Sequence, residues 1–140
     1  PDPMDLRTDL LHLDLESRIA LDRETGRLFI NFEKLRIRSE DDLARIKKRV
    51  EELCAPLAEP VDAIANYDGA QIDEDIQARY AEVIEDLVAR FYRRVTRYSN
   101  SAFMRMKLGE TFQRESSPHI FETAAEARAF LDRNPEPKGG

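Results

Sequence analysis

From Leu87 to Gly109 the chain carries Arg90, Arg93, Arg94, Arg97, Arg105 and Lys107 and no acidic residue. Arg97 stands near the end of a run of β-formers, Arg94-Val-Thr-Arg-Tyr98, and Ser99-Asn100-Ser101 follows at once. A strand end, hydroxyl caps, helix N–H groups and guanidinium groups together can hold an anion. Arg97, Ser99, Asn100, Ser101 and Arg105 are therefore candidates for docking a phosphate or carboxylate, such as part of a coenzyme. A helix cap beside solvated arginines explains the same residues without a ligand, since such caps begin helices generally. A second group, Asn66, Tyr67 and Asp68, follows a short apolar run. In open parallel sheets ligands favour the carboxyl ends of strands, which makes Asp68 a candidate general base or metal ligand. Against this, Asp68-Gly69 is a common turn pair, and Tyr67 can simply cover the sheet edge.

The remaining reactive side chains have structural explanations. Glu33, Glu40, Asp41 and Asp42 fall at a strand end and in a helix first turn, where acids favour the dipole. Cys54 lies on an apolar helix face with no evident base, so it reads as a packed thiol. His119, beside Ile120 and Phe121, reads as a structurally held histidine rather than a base, and His12 as an exposed residue of the leader. Ser99 and Ser101 lack a His/Asp relay at any known spacing. The chain contains no GxGxxG, Walker A, HExxH or CxxC motif.

These residues need elements to hold them. Residues 18–22 and 27–32 flank Arg23-Glu-Thr-Gly26, and Gly26 suits the positive-φ position of a hairpin loop. The second strand can extend to Leu35 or Ile37. Ser39 before Glu40-Asp41-Asp42 caps a helix over 40–54 whose Leu43, Ile46, Val50 and Leu53 share one face, and Pro56 and Pro60 stop it. Val61–Asn66 predicts a buried central strand, and Ile72, Ile76, Tyr80, Val83, Ile84, Leu87, Val88 and Phe91 a helix over 73–92. Residues 94–98 predict a strand, and Ser99-Asn100-Ser101 caps a helix with Ala102, Phe103 and Met106 facing inward and Phe112 a further candidate for that face. A short strand over 118–121 and a last helix opened by the capping box Thr123-Ala-Ala-Glu126 complete the order. That order, β-β-α-β-α-β-α-β-α, predicts an α/β domain with about five strands, mostly parallel, and about four helices. Residues 1–17 read as a leader arm, 18–133 as the domain and 134–140 as a frayed tail.

Composition bounds the function class. One domain fits 140 residues. A net charge of −6 argues against nucleic-acid binding and anionic membranes. The apolar runs are too short for a membrane-spanning helix or a signal segment. One cysteine excludes an internal disulfide and a cysteine-based zinc cluster, and two histidines make a His-rich metal site improbable. The composition fits the reducing cytoplasm. The six cations of 87–109 leave the rest of the chain at net −12.

Four stretches carry a resemblance. Asn31-Phe-Glu-Lys-Leu-Arg-Ile-Arg, Val61-Asp-Ala-Ile-Ala-Asn-Tyr-Asp, the block from Phe91 to Gly109 and Pro118-His-Ile-Phe-Glu122 resemble the C-terminal extension of long bacterial acyl-CoA:acetate/3-ketoacid CoA-transferases. The leader Pro3-Met-Asp-Leu-Arg-Thr-Asp-Leu10 resembles the segment joining that extension to the transferase body. Val95 to Gly109 is the most specific part. In that family the CoA thioester forms on a glutamate of the body, so the resemblance assigns no catalytic residue here. It implies a chain that begins inside a longer protein, needs no cofactor of its own, meets CoA or acyl-CoA only through the parent, and has a CoA-transferase catalytic domain as partner. The element order also resembles STAS domains, such as the anti-sigma-factor antagonists. Those carry a phosphorylatable serine after the third strand. Asn66-Tyr-Asp-Gly-Ala-Gln71 has no hydroxyl there except Tyr67, so a kinase-driven switch does not follow.

The resulting expectation is a non-catalytic accessory or regulatory domain for docking or ligand sensing. A free-standing protein-interaction module is the alternative, and a small enzyme with a strand-end pocket using Asp68, Tyr67 or Ser101 the third. The sequence leaves the oligomeric state open.

Overall fold

The computed structural model describes residues 15–113, 115 and 118–133. Most of the leader, with His12, and the tail lie outside them. A 3-10 turn, Leu15–Arg18, leads into β1 (Ile19–Asp22) and β2 (Arg27–Asn31). There follow β3 (Arg36–Ile37), α1 (Glu40–Cys54), β4 (Val61–Asn66), β5 (Gln71–Ile72), a 3-10 turn at Glu74–Ile76 and α2 (Gln77–Phe91). The chain continues through β6 (Tyr92–Tyr98), α3 (Ala102–Thr111), β7 (His119–Phe121) and α4 (Ala124–Arg133). Leu15, assigned to the leader by its sequence, is buried in the main core, and Glu16 binds Arg45 of α1.

The local signals explain most boundaries. Gly26 closes the β1–β2 hairpin at φ 70°, a conformation costly for other residues. The Ser39 side chain accepts the Asp42 N–H at 3.2 Å and starts α1. Thr123 and Glu126 cap each other's N–H groups at the start of α4. The main sheet runs β1-β2-β4-β6-β7, with β1 antiparallel to β2 and the other pairs parallel. This is the mixed, mostly parallel five-stranded α/β arrangement predicted above. A second sheet pairs β3 with β5, two residues each. It ties the loop after β2 to the loop after β4.

The parallel strands follow one another in a single direction. Right-handed crossovers stepping one way deliver their helices to one face. Accordingly, Leu28 and Ile30 of β2 and Ala63 and Ala65 of β4 share one core with Ile46 and Val50 of α1, Ile84 and Leu87 of α2, and Met104 and Leu108 of α3. On the opposite face Ile64 packs with Ala127 and Leu131 of α4, flanked by Tyr98, Phe121 and Phe130. α4 packs on β6, β7 and β4, and its Asp132 pairs with Arg27 of β2. Ile84 is 7% exposed on the core side of α2. Ile84→Val should cost about 1 kcal/mol in urea unfolding, as expected for one buried methyl group.

The α3 face differs from its sequence reading. Met104 and Leu108 turn inward and Phe112 follows them, whereas Phe103 and Met106 are exposed. Both sets have helical spacing, and the path of β6 decides which one meets the sheet.

Candidate functional site

The two sequence-derived groups meet at the carboxyl edge of the sheet. β2, β4 and β6 end in register, with Asn31 opposite Asn66 and Asn66 opposite Tyr98. Each strand then closes on a side-chain oxygen two residues back. Asn31 Oδ1 accepts the Glu33 N–H at 3.0 Å, Asn66 Oδ1 the Asp68 N–H at 2.8 Å, and Ser99 Oγ the Ser101 N–H at 3.1 Å. These turns tuck Phe32, Tyr67 and Ser99 into the interior. Their N–H groups donate onward to Asn66 O, Tyr98 O and Phe121 O, so the backbone ladder runs to the very edge. Gly69, at φ 69°, lies against Lys34, and a Cβ there would come within 3.1 Å of Lys34 Cγ.

The groups read as anion ligands serve one another instead. Asp68 Oδ1 accepts the Asn100 N–H at 2.7 Å, so the protein's own carboxylate sits just before α3. Ser101 Oγ accepts the Met104 N–H at 3.1 Å as the helix cap, and Arg105 Nη1 donates to Ser99 O at 2.8 Å. The Asp68 turn reading therefore has its geometry, and Tyr67 is a covered residue behind the edge.

Arg97 is the largest departure from expectation. Its side chain is 1% exposed and donates to both carboxylate oxygens of Glu115, at 2.8 and 3.1 Å. Its guanidinium stacks 3.8 Å from the centre of the Phe112 ring. β6 alternation sends Val95 and Arg97 toward the helices, and burial then demands a counter-ion. Arg97 is thus an internal ion-pair member and not an exposed anion ligand. Beneath it, the Tyr67 and Tyr80 hydroxyls lie 2.5 Å apart. Burial pushes both phenols up, Tyr80 well above the usual range, so both stay neutral at neutral pH and neither serves as a base.

A buried carboxylate lies at the amino end of the same strands. A bulge between Val61 and Asp62 leaves Arg93 as the extra residue of β6. Both Arg93 and Arg94 then reach Asp62, whose side chain is 5% exposed. Burial raises the Asp62 pKa, but the hydrogen bonds and charges of Arg94 and Arg93 outweigh it and hold the net value below normal. A depressed carboxyl stabilises the fold fully above its unfolded value of about 3.9 and loses that contribution as pH falls through the folded value. Below about pH 4 the urea midpoint should therefore fall, and Asp62→Asn should flatten that limb while lowering stability at pH 7.

Elsewhere, burial pushes the Cys54 thiol up to about 11, which suits a packed thiol. The His119 ring stacks on Phe130 at 4.0 Å, and burial lowers its pKa. Among the described residues no cluster of three or more His, Cys, Asp or Glu can hold a metal ion, and no helix is long and apolar enough to cross a membrane. An open cleft of about 660 Å³ lies between the Gly69–Glu74 segment and α3. Of the eight sequence candidates only Ser101 lines it, and its Oγ is occupied by the cap. Glu115 and Asp62 escaped the sequence reading. An aspartate inside the apolar run 61–65 was the available signal for Asp62, whereas Glu115 sits in an unpatterned stretch. No protein-family model, curated protein or solved structure matches the chain.

Proposed function

We propose that the chain is a non-catalytic, STAS-like accessory or regulatory domain of an acyl-CoA:acetate/3-ketoacid CoA-transferase-type protein. The resemblance at 31–38, 61–68, 91–109 and 118–122 names the parent. The observation that supports an accessory role is the consumption of the strand-end groups by one another, with Asp68 on the Asn100 N–H, Ser101 on the Met104 N–H and Arg97 on Glu115. General acid–base or nucleophilic chemistry needs an activated group within reach of a substrate. Here Asp68, Ser101 and Arg97 each already serve a partner within the chain, and burial keeps the two phenols neutral.

The strand order supports the same reading. Ligand crevices in open sheets form where the strand order reverses, and β2-β4-β6-β7 advances without reversal. A free-standing interaction module is the second reading, favoured by the exposed Phe103 and Met106. The small-enzyme reading loses support because the α3 cleft does not join Tyr67 or Asp68.

The test is a transfer assay. The purified chain, mixed with an acyl-CoA and acetate, should give no CoA transfer above the protein-free rate. Added to a separately expressed transferase body, it should form a complex in sedimentation. Turnover by the chain alone would overturn the accessory reading, and no association with the body would overturn the proposed parent.

A further inference from the structure

The small β3–β5 sheet has an open edge. The Gln71 N–H donates to Leu35 O and the Asp73 N–H to Ile37 O, both at 2.9 Å, so these residues bond toward β3. Ile72, between them, turns its N–H and C=O the other way, because bonding direction alternates along a paired strand. β5 pairs with β3 alone, and among the described residues no hydrogen bond reaches either Ile72 group. β3 follows β2 and β5 follows β4, while the next strand of the main sheet, β6, leads into α3. The free edge of β5 therefore faces α3 across the open cleft of about 660 Å³. Gly69–Glu74 forms one wall, and Ser101, Phe103, Met104 and Lys107 form the other. At Glu74 the cleft adjoins a second of about 380 Å³ between α2 and α3, lined also by Glu82, Glu85 and Glu110 and by no lysine or arginine.

We propose that the groove between β5 and α3 takes an extended, basic segment of a different protein, which adds to β5 as a third strand. The open Ile72 N–H and C=O call for an extended backbone, as at other sheet edges that bind peptides. Ala70, Met104 and the 64% exposed Phe103 offer an apolar lining for one side chain of that segment. Glu74, Glu82, Glu85 and Glu110 supply the charge that a lysine or arginine beside it would complement. The chain's own ends fit poorly. Residues 1–14 carry Asp2, Asp5, Asp9 and Asp14 against Arg7, so they would bring acids to glutamates. Residues 134–140 carry Pro135 and Pro137, which lack the N–H a ladder needs. A second copy brings a net charge of −6. This inference does not rest on the CoA-transferase reading, and the transfer assay leaves it untouched.

Two peptides test this, acetyl-Lys-Lys-Val-Thr-Val-Thr-amide and acetyl-Thr-Val-Thr-Val-Lys-Lys-amide, one for each strand direction. Valine and threonine favour the extended form. Titrated into the isotope-labelled full chain, at least one should shift the amide resonances of 69–74 and 101–107. It should bind at least tenfold more tightly than its counterpart with glutamates in place of the lysines. At saturation the Ile72 amide hydrogen should exchange at least tenfold more slowly, while those of Gln71 and Asp73, already bonded to β3, should change little. N-methylation of one alternate set of peptide amides should abolish binding. Phe103→Ser and Glu110→Lys should each weaken binding at least fivefold, with the thermal midpoint unchanged. Silence of both peptides at millimolar concentration overturns the proposal, as does equal binding of the acidic counterparts or indifference to N-methylation. So does an Ile72 amide already protected in the free chain, the result expected if the chain's own leader or a second copy fills the groove.

Discussion

Arg97→Ala should lower unfolding free energy by about 3–5 kcal/mol, the range for removing one partner of a buried ion pair. A domain of this kind has about 5–15 kcal/mol in total, so the variant should unfold at markedly lower urea concentration with a similar slope. The cost arises because Glu115, with its side chain 15% exposed, is left as an unpaired carboxylate against Phe112 and the Tyr67–Tyr80 pair. This is the reverse of a surface anion ligand, whose removal would leave stability almost unchanged. Replacing both partners, as in Arg97→Met with Glu115→Leu, should recover much of the loss, since the desolvation cost of both charges disappears together. A urea midpoint for Arg97→Ala within error of wild type would show that the pair does not hold the edge closed.

The second large effect is expected at Phe112, which is fully buried. Phe112→Ala should cost about 3–5 kcal/mol through lost burial and the cavity left behind. Part of that loss is specific to the ring, which supports the Arg97 guanidinium at 3.8 Å and packs against Tyr80 with centroids 5.9 Å apart. Phe112→Leu keeps most of the volume and removes only the aromatic face. It should be milder than alanine, yet still cost about 1–2 kcal/mol if the cation–π contact is desolvated as placed. The Arg97 and Phe112 substitutions share one contact, so their effects should not add. Hydrogen exchange offers a second readout. Phe112 accompanies the C-terminal end of α3, so amides of α3 should lose protection in Phe112→Ala before those of β4.

Local signals carried most of the fold. Gly26, Ser39 and the Thr123–Glu126 box each stop or start an element through their own backbone chemistry, independent of distant residues. The β3–β5 pair was not legible because two-residue strands show no periodicity, and only the spacing of β2 and β4 brings Arg36 and Gln71 together. The inward face of α3 was misread for a related reason. Phe103 and Met106 make as good a helical stripe as Met104 and Leu108, and a stripe does not state which side has a sheet behind it. At the strand ends the sequence displays the residue types but not their partners. Asp68 and Asn100 lie 32 positions apart, and Arg97 and Glu115 lie 18 apart. Whether a polar group is free or satisfied depends on such pairings, and that decides between a ligand site and a sealed edge.

The proposed accessory role requires that thioester chemistry reside outside this chain. The most direct measurement is the intact mass of the purified protein after incubation with an acyl-CoA, followed by borohydride trapping of any glutamyl thioester. The account predicts the unmodified 16.2 kDa chain. A CoA or acyl adduct on one of its own glutamates, or a borohydride-reduced product at that position, would contradict it.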